Sequence, residues 1–340
     1  MIEKWIKNPL TLKRFQRFKQ IRRSVWATYV FVFILFLSAT AEFWANSKPI
    51  VMSYQGSLYV PVVRTYHPSD FGQEDIFVTD YRKLEAESDA WMLWPMVRWN
   101  PFESNESVER YPSEPTSTNW MGTDDRGRDV LARLIYGFRY SIVYATFVWF
   151  FSFLLGTVIG AIMGYWGGWT DLFGQRLVEI FESVPSLALL ILLVAVFGSS
   201  LTLLTIFSVV LGWMMISIYM RAEFLKLRKR EFVESARAIG VPWWKIIFRH
   251  ILPNALSPIV TFSPFAISGG IASLAILDFL GFGLPPPTPS WGELLTQAKK
   301  HYDTSWWLAL YPSLALFFSV ATLNLIGEGV RDAFDPRKSL

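Results

Sequence analysis

Few side chains in this 340-residue sequence are arranged to do chemistry. His67, His250 and His301 are widely separated, and neither H-E-x-x-H nor any comparable metal-ligand spacing occurs. Cysteine is absent, which excludes disulfides, thiolate metal sites and thiol nucleophiles. There is no G-x-S-x-G nucleophile elbow and no G-x-x-x-x-G-K-[ST] phosphate loop, so any ATP hydrolysis must come from another chain. Glu179, Glu182 and Asp278 border apolar runs and suggest a proton relay. Each lies near the end of its run, however, where water or headgroups would solvate it, and that reading is set aside.

Two stretches carry denser patterns. In EFVESARAIGVPWWKIIFRHILPN (231–254), the segment Glu231 to Ile239 has helical composition, with Phe232, Ala236 and Ile239 on one face. Gly240 stands where a helix end wants a left-handed residue, and Pro242 suits the first position of a following helix. Glu234 and Arg237 share a face and could pair with each other or with a partner, and Trp243 and Trp244 follow the turn. Composition alone leaves two readings open: a rigid elbow that docks a partner, or an amphipathic helix that only anchors a loop. The second stretch is Gly122, Thr123, Asp124, Gly127, Arg128 and Asp129, whose glycines and alternating charges suit a tight structural loop.

The elements that position both stretches are membrane spans. The chain is 52% apolar, 17% aromatic and 18% charged, too apolar for an ordinary soluble protein. Charge-free runs cover Ser24 to Ala41, Tyr140 to Thr170, Ser183 to Met220, Ile251 to Leu277 and Thr304 to Gly327. A helix crosses the hydrocarbon core in about 20 residues, so the run from Ser183 to Met220 holds two spans, broken near Gly198, Ser199 and Ser200. That makes six transmembrane helices in an all-α integral membrane protein. Ala39, Thr40 and Ala41 imitate a signal-peptide cleavage site, but Phe43 and Trp44 carry the apolar run past it, and the segment reads as a retained span.

Residues 1–23 carry eight Lys and Arg against Glu3 alone, and 221–250 carries eight against three acids. With six spans both intervals fall on the side of the C-terminus, which the positive-inside rule makes cytoplasmic. The 46–139 segment, with ten basic and fourteen acidic residues, is then external. The net charge of +4 reflects cytoplasmic flanks that meet lipid headgroups and is no sign of nucleic acid binding.

Within the external segment, VMSYQGSLYVPVVRTY predicts a hairpin turning at Gln55 and Gly56, and YPSEPTSTNW reads as an extended linker. Val130, Leu131, Leu134, Ile135 and Phe138 form one helical stripe, expected either at the outer interface before the second span or packed under the external segment.

The 231–254 stretch resembles the EAA loop of binding-protein-dependent ABC importer permeases. Glu234, Ser235 and Ala236 match its opening triplet, with Ser for the middle Ala; Gly240 matches the glycine, and Leu252 and Pro253 the ending. MGTDDRGRDVLARLIYG (121–137), GYWGGWTD (164–171), LDFLGFGLPPPTPSWGELL (277–295) and NLIGEGVRDAFDPR (324–337) are similar to motifs of the peptide/nickel permeases, on the C-type dipeptide and oligopeptide subunit. Glu179 departs from the Asp usual there, three residues after Arg176. The long segment before residue 120 resembles Yej-type subunits linked with peptide and microcin C uptake.

The resemblance implies the type I ABC importer permease fold, in the bacterial inner membrane with both termini cytoplasmic. Its parts would be a basic N-terminus (1–23), a first helix (24–45), a long external loop (46–139), a permease core (140–327) containing the coupling loop 221–250, and a tail (328–340). It implies half of a translocation pathway, beside a homologous second permease, two ATP-binding subunits that use ATP and Mg, and an external solute-binding protein. No cofactor is expected on this chain. Glu234, Ser235, Ala236, Arg237, Gly240, Leu252 and Pro253 would couple to the ATPases, while Gly122 to Asp129 would be a scaffold or, with the 285–290 turn, a docking rim for the binding protein. The competing reading is a self-assembled channel or membrane scaffold without ATP coupling.

Overall fold

A computed structural model describes residues 9–73 and 76–335. Glu3, Lys4 and Lys7 of the basic N-terminus, and Pro336 and Arg337 of the tail motif, lie outside the described residues.

Helix α1 (Pro9–Gln20) is basic and amphipathic, and it leads through Ile21 into the apolar α2 (Arg22–Ala39) and the short α3 (Ala41–Trp44). A small sheet follows, built from β1 (Val51–Tyr54), β2 (Ser57–Tyr59) and, after α4 (Tyr81–Glu87), β3 (Trp91–Leu93), in the antiparallel order β2-β1-β3. The hairpin turns at Gln55 and Gly56 as expected, both with positive φ, which suits the twist of a two-residue hairpin loop. With no disulfide to staple it, this unit is held by aromatic packing. Phe71 meets Tyr54, Tyr59, Tyr66 and Tyr81 edge-on, over the buried Met52 and Leu84.

The expected linker 111–120 is fixed in place. It has no regular structure, but Asn119 is buried and its turn closes through Thr116 N–H to Asn119 O at 2.9 Å. Nor does the stripe from Val130 to Phe138 form a separate interfacial helix. It is the first part of α5 (Val130–Trp166), a single helix of 37 residues and about 56 Å. Val130, Leu134 and Phe138 pack on Trp291, Leu294, Trp307 and Leu308, while Leu131 and Ile135 lie against Ala45 and Val97 of the external segment, so the second of the two expected placements holds for them.

The chain breaks at Gly167, then forms α6 (Gly168–Glu182) and α7 (Ser186–Phe197), bent 71° at the intervening break. After Gly198 to Ser200 come α8 (Leu201–Gly212) and α9 (Met214–Leu227), which together run as one 27-residue span. The 183–220 run is therefore divided at the expected place but unequally. With 12 residues, or about 18 Å, α7 is too short to cross alone and can complete a crossing only as the second arm of a bent pair. Among the described residues α2, α5, α8 with α9, α13 and α15 are long and apolar enough to cross, and the bent pair, counted as one span, brings the number to six.

The remaining elements are α10 (Glu231–Ala238), α11 (Trp243–Lys245), a π-helical turn (Ile246–Ile251), α12 (Leu252–Ala255), α13 (Ser257–Phe279), α14 (Trp291–Lys300) and α15 (Trp306–Phe334). Helix α5 is the spine. Gly156, Gly160 and Gly164 lie one turn apart along it, and a Cβ at any of them would collide with the α9 backbone near Trp213, Ser217 and Arg221. Two helix backbones thus touch inside an apolar solvent, where close van der Waals packing drives association.

Candidate coupling elbow and outer clasp

The 231–254 stretch folds as two helices around a fixed turn. Gly240 has φ +77°, its N–H donates to Arg237 O at 3.0 Å, and the Val241 N–H donates to Ala236 O at 3.0 Å. These two reversed bonds satisfy the last carbonyls of α10, and the partly buried Val241 packs in the same cluster as Ala236. Pro242 caps α11 from outside the helix, one position earlier than expected, with Trp243 first in the helix.

The buried face is Val233 and Ala236, and of the three apolar residues expected to share a face only Ala236 belongs to it. Val233 and Ala236 sit among Met220, Phe224, Ile246 and Ile251, tying the elbow to α9. Phe232 and Ile239 stay 41% and 80% exposed, and Trp243, Trp244 and Phe248 further along the stretch are exposed as well. Glu234 and Ser235 are exposed, and Glu234 does not pair with Arg237. The Arg237 guanidinium instead lies 5.1 Å from the Tyr165 ring at the end of α5, where Trp166 also meets Trp243 at 5.4 Å.

Leu252 is half-buried and Pro253 exposed. Pro253 has no N–H to donate and its ring crowds the carbonyl four residues back. The chain before it widens into the π turn, where the Leu252 N–H reaches Ile247 O.

At the opposite end, Gly122 to Asp129 forms a loop around Asp124. Asp124 Oδ1 accepts from the N–H groups of Arg126 and Arg128, each at 2.9 Å, and Oδ2 accepts from Arg128 Nε at 2.7 Å. Arg128 Nη2 donates to Glu293 Oε1 on α14 at 3.0 Å, and Arg133 Nη2 donates to Glu293 Oε2. Arg133 Nη1 donates to Pro101 O at 2.9 Å and Pro287 O at 3.3 Å. The Asp125 N–H donates to Gln297 Oε1 at 3.1 Å, and Trp307 Nε1–H donates to Thr123 O at 3.0 Å. The loop thus clasps α14 and α15, and Arg133 of α5 ties the same cluster to the 285–290 turn.

Asp124, Arg128 and Arg133 have side chains 0%, 2% and 0% exposed. Burial opposes the charge on Arg128, but Asp124 and Glu293 outweigh it and raise its pKa. A Cβ at Gly122 would strike Ser113 O and the Trp307 ring, and one at Gly127 would strike the Tyr111 ring. Thr123 Oγ1 accepts from the Ser113 N–H at 2.8 Å. Asp129 caps α5, accepting from the Ala132 N–H at 2.7 Å and from Asn119 Nδ2 at 2.8 Å. Burial nevertheless pushes its carboxyl up to about 6.

Asp278 is not solvated as expected. It is buried at the end of α13, where its carboxylate accepts from the Leu284 N–H at 2.6 Å and from the Ser290 hydroxyl. It orders the turn into α14. Glu179 pairs with Arg176 on an exposed face. Among the described residues no group of three or more His, Asp or Glu could hold a metal ion.

Three parts of this arrangement were not read from the sequence. Arg133 and Glu293 carry no local motif and meet only because α5 and α14 pack. The burial of Val233 depends on where α9 and the π turn pack, which its local sequence does not state. The glycine stripe of α5 does have a signal, the small-xxx-small spacing in GTVIGAIMG.

Residues 156–340 match the family described as binding-protein-dependent transport system inner membrane component. The chain is 41% identical to the peptidoglycan transport system permease protein YejE of Agrobacterium fabrum, over 98% of this chain and 94% of that protein. It is 40% identical to the inner membrane ABC transporter permease protein YejE of Escherichia coli, over 98% and 99%. Among solved structures, the inward-facing MetNI methionine ABC transporter superposes with a TM-score of 0.48 at 19% identity, over 60% of this chain and 97% of that one.

Proposed function

The chain belongs to the binding-protein-dependent transport system inner membrane components, and from that membership we propose that it forms half of a translocation pathway for peptides or peptide-like compounds. A homologous second permease supplies the other half. Two ATP-binding subunits, which hold the ATP and Mg, drive it from the elbow side, and an external solute-binding protein feeds it from the clasp side. This chain itself holds no cofactor. The basic intervals 1–23 and 221–250 support a cytoplasmic placement of both termini and the elbow, with 46–139 outside.

The observation that carries the coupling reading is the pairing of a fixed elbow with an uncovered apolar surface. Phe232 and Ile239 stand exposed on α10, while Val233 and Ala236 lock the same helix to α9 and the end of α5. Anything that grips the outer face of α10 must therefore move α5 and α9 with it. Glu234, Ser235, Arg237, Leu252 and Pro253 complete the docking surface and its hinge. The Gly122 to Asp129 clasp is read as scaffold, since its Asp124 and Arg128 are spent on internal bonds.

The test uses Ile239, whose 80% exposure means that a charge there leaves folding intact. Tagged wild-type protein purified from membranes in mild detergent should bring down a second permease and ATP-binding subunits, identified by mass spectrometry. Ile239→Glu should lose only the ATP-binding subunits. Recovery of self-associated chain alone would instead support a channel or scaffold.

A further inference from the structure

Midway along the spans, α5, α7, α8, α9 and α13 line an open cavity of about 280 Å3. Its wall gathers five hydroxyls, where the apolar grooves beside the spans carry two each: Ser152 and Tyr144 from α5, Ser186 from α7, Ser208 from α8 and Ser273 from α13. No charged side chain lines it. Tyr144 Oη and Ser208 Oγ share a hydrogen bond of 2.6 Å, and Ser152 Oγ reaches only a weak 3.5 Å contact to Val209 O. Hydroxyls gathered at mid-membrane are costly unless they meet polar groups, and the bend between α6 and α7 is what brings Ser186 and Leu187 to this point. Gly269 of α13 opens onto the space, and a Cβ there would meet no atom within 4 Å.

We propose that this cavity is the chain's own wall of the translocation path, and that its hydroxyls hold the main-chain N–H and C=O groups of a passing peptide. The proposal rests on the importer reading and adds the substrate-facing residues to it. A hydroxyl donates and accepts, so it serves either backbone group. A wall without charge neither requires nor rejects a charged peptide side chain, so the path carries acidic, basic and neutral peptides alike. At about 280 Å3 the space falls just below the usual range of ligand sites, roughly 300–1,000 Å3, as one half of a shared path should.

The absence of cysteine gives a clean test in the assembled transporter. In membranes, Ser208→Cys and Ser273→Cys should react with a charged, water-soluble thiosulfonate reagent, read on this chain by mass spectrometry. Turnover with trialanine should slow that reaction. Gly269→Leu, which the open space accommodates, should cut uptake of trialanine, trilysine and triglutamate alike, by about tenfold or more. It should leave membrane level, co-purifying permease and ATP-binding subunits unchanged. Unreactive cysteines, or uptake by Gly269→Leu within about twofold of wild type, would overturn the proposal. So would loss of the second permease from Gly269→Leu, which would make the cavity a subunit contact. If wild-type protein brings down no ATP-binding subunit, the importer reading itself falls.

Discussion

Arg133 and Glu293, 160 residues apart, are joined by a charge-assisted hydrogen bond from the guanidinium Nη2 to the carboxylate Oε2, with Arg133 wholly buried. The other carboxylate oxygen takes Arg128, which also holds Asp124. Two buried arginines thus share two carboxylates across the packing of α5 on α14. Their arrangement makes the clasp rigid, because no member can leave without stranding a charge.

Removal of one partner from a buried ion pair is strongly destabilising, by about 3–5 kcal/mol, since the remaining charge is left uncompensated. Glu293→Ala and Asp124→Ala should therefore lower the melting temperature in detergent and the yield of monodisperse protein. Glu293→Gln, which retains an acceptor, should lose less. An Asp124→Ala protein that melts like wild type yet fails in uptake would make the clasp a docking rim.

The α5–α9 seam makes a second, oppositely controlled prediction. A methyl at Gly160 meets the Ser217 backbone oxygen, which cannot rotate away, so Gly160→Ala must push the helices apart at a cost of about 1–3 kcal/mol. The same change at Gly269 meets nothing and gains helix propensity, so Gly269→Ala should be neutral or slightly stabilising. Thermal melts of the pair in one detergent separate the two. Equal melting temperatures would mean that the seam yields.

What was legible in the sequence divides along physical lines. The spans showed because the bilayer forbids charge, a rule that acts on every residue of a run. Gly240 showed because a left-handed turn has a local chemistry of its own. The bent pair α6 and α7 did not show, since hydropathy records depth and not direction, and Ser183 to Phe197 reads equally as a straight span. Which side of α10 meets α9 did not show either, because apolar spacing names a face without saying what covers it. Pairs such as Arg133 with Glu293, or Arg237 over Tyr165, are decided by tertiary packing and have no sequence neighbourhood to betray them.

Asp129 predicts a pH dependence. Burial raises its folded pKa from 3.8 to about 6, so the folded protein binds this proton more tightly than the unfolded chain does. The stability it contributes is therefore full below the unfolded pKa and is lost as pH rises from about 4 through about 6, a difference of about 3 kcal/mol. The melting temperature should fall across that window. Asp129→Asn keeps a residue suited to the helix cap and should flatten the profile there. An unchanged slope in the variant would assign it to other groups.

Gly240 offers the sharpest separation of folding from coupling. Nothing lies within 4 Å of a Cβ at that position, so a side chain there causes no clash, and any defect must come from the backbone at φ +77°. A β-branched residue disfavours that conformation by about 1–2 kcal/mol, whereas Asn visits it readily. Gly240→Val should reach the membrane at the wild-type level, since Val233 and Ala236 still anchor α10, but should tilt the docking face and abolish peptide uptake. Gly240→Asn should retain most of it. If Val and Asn variants transport equally well at equal membrane levels, the left-handed turn is not the coupling hinge, and the force must enter through Trp243 and Trp244 beyond it.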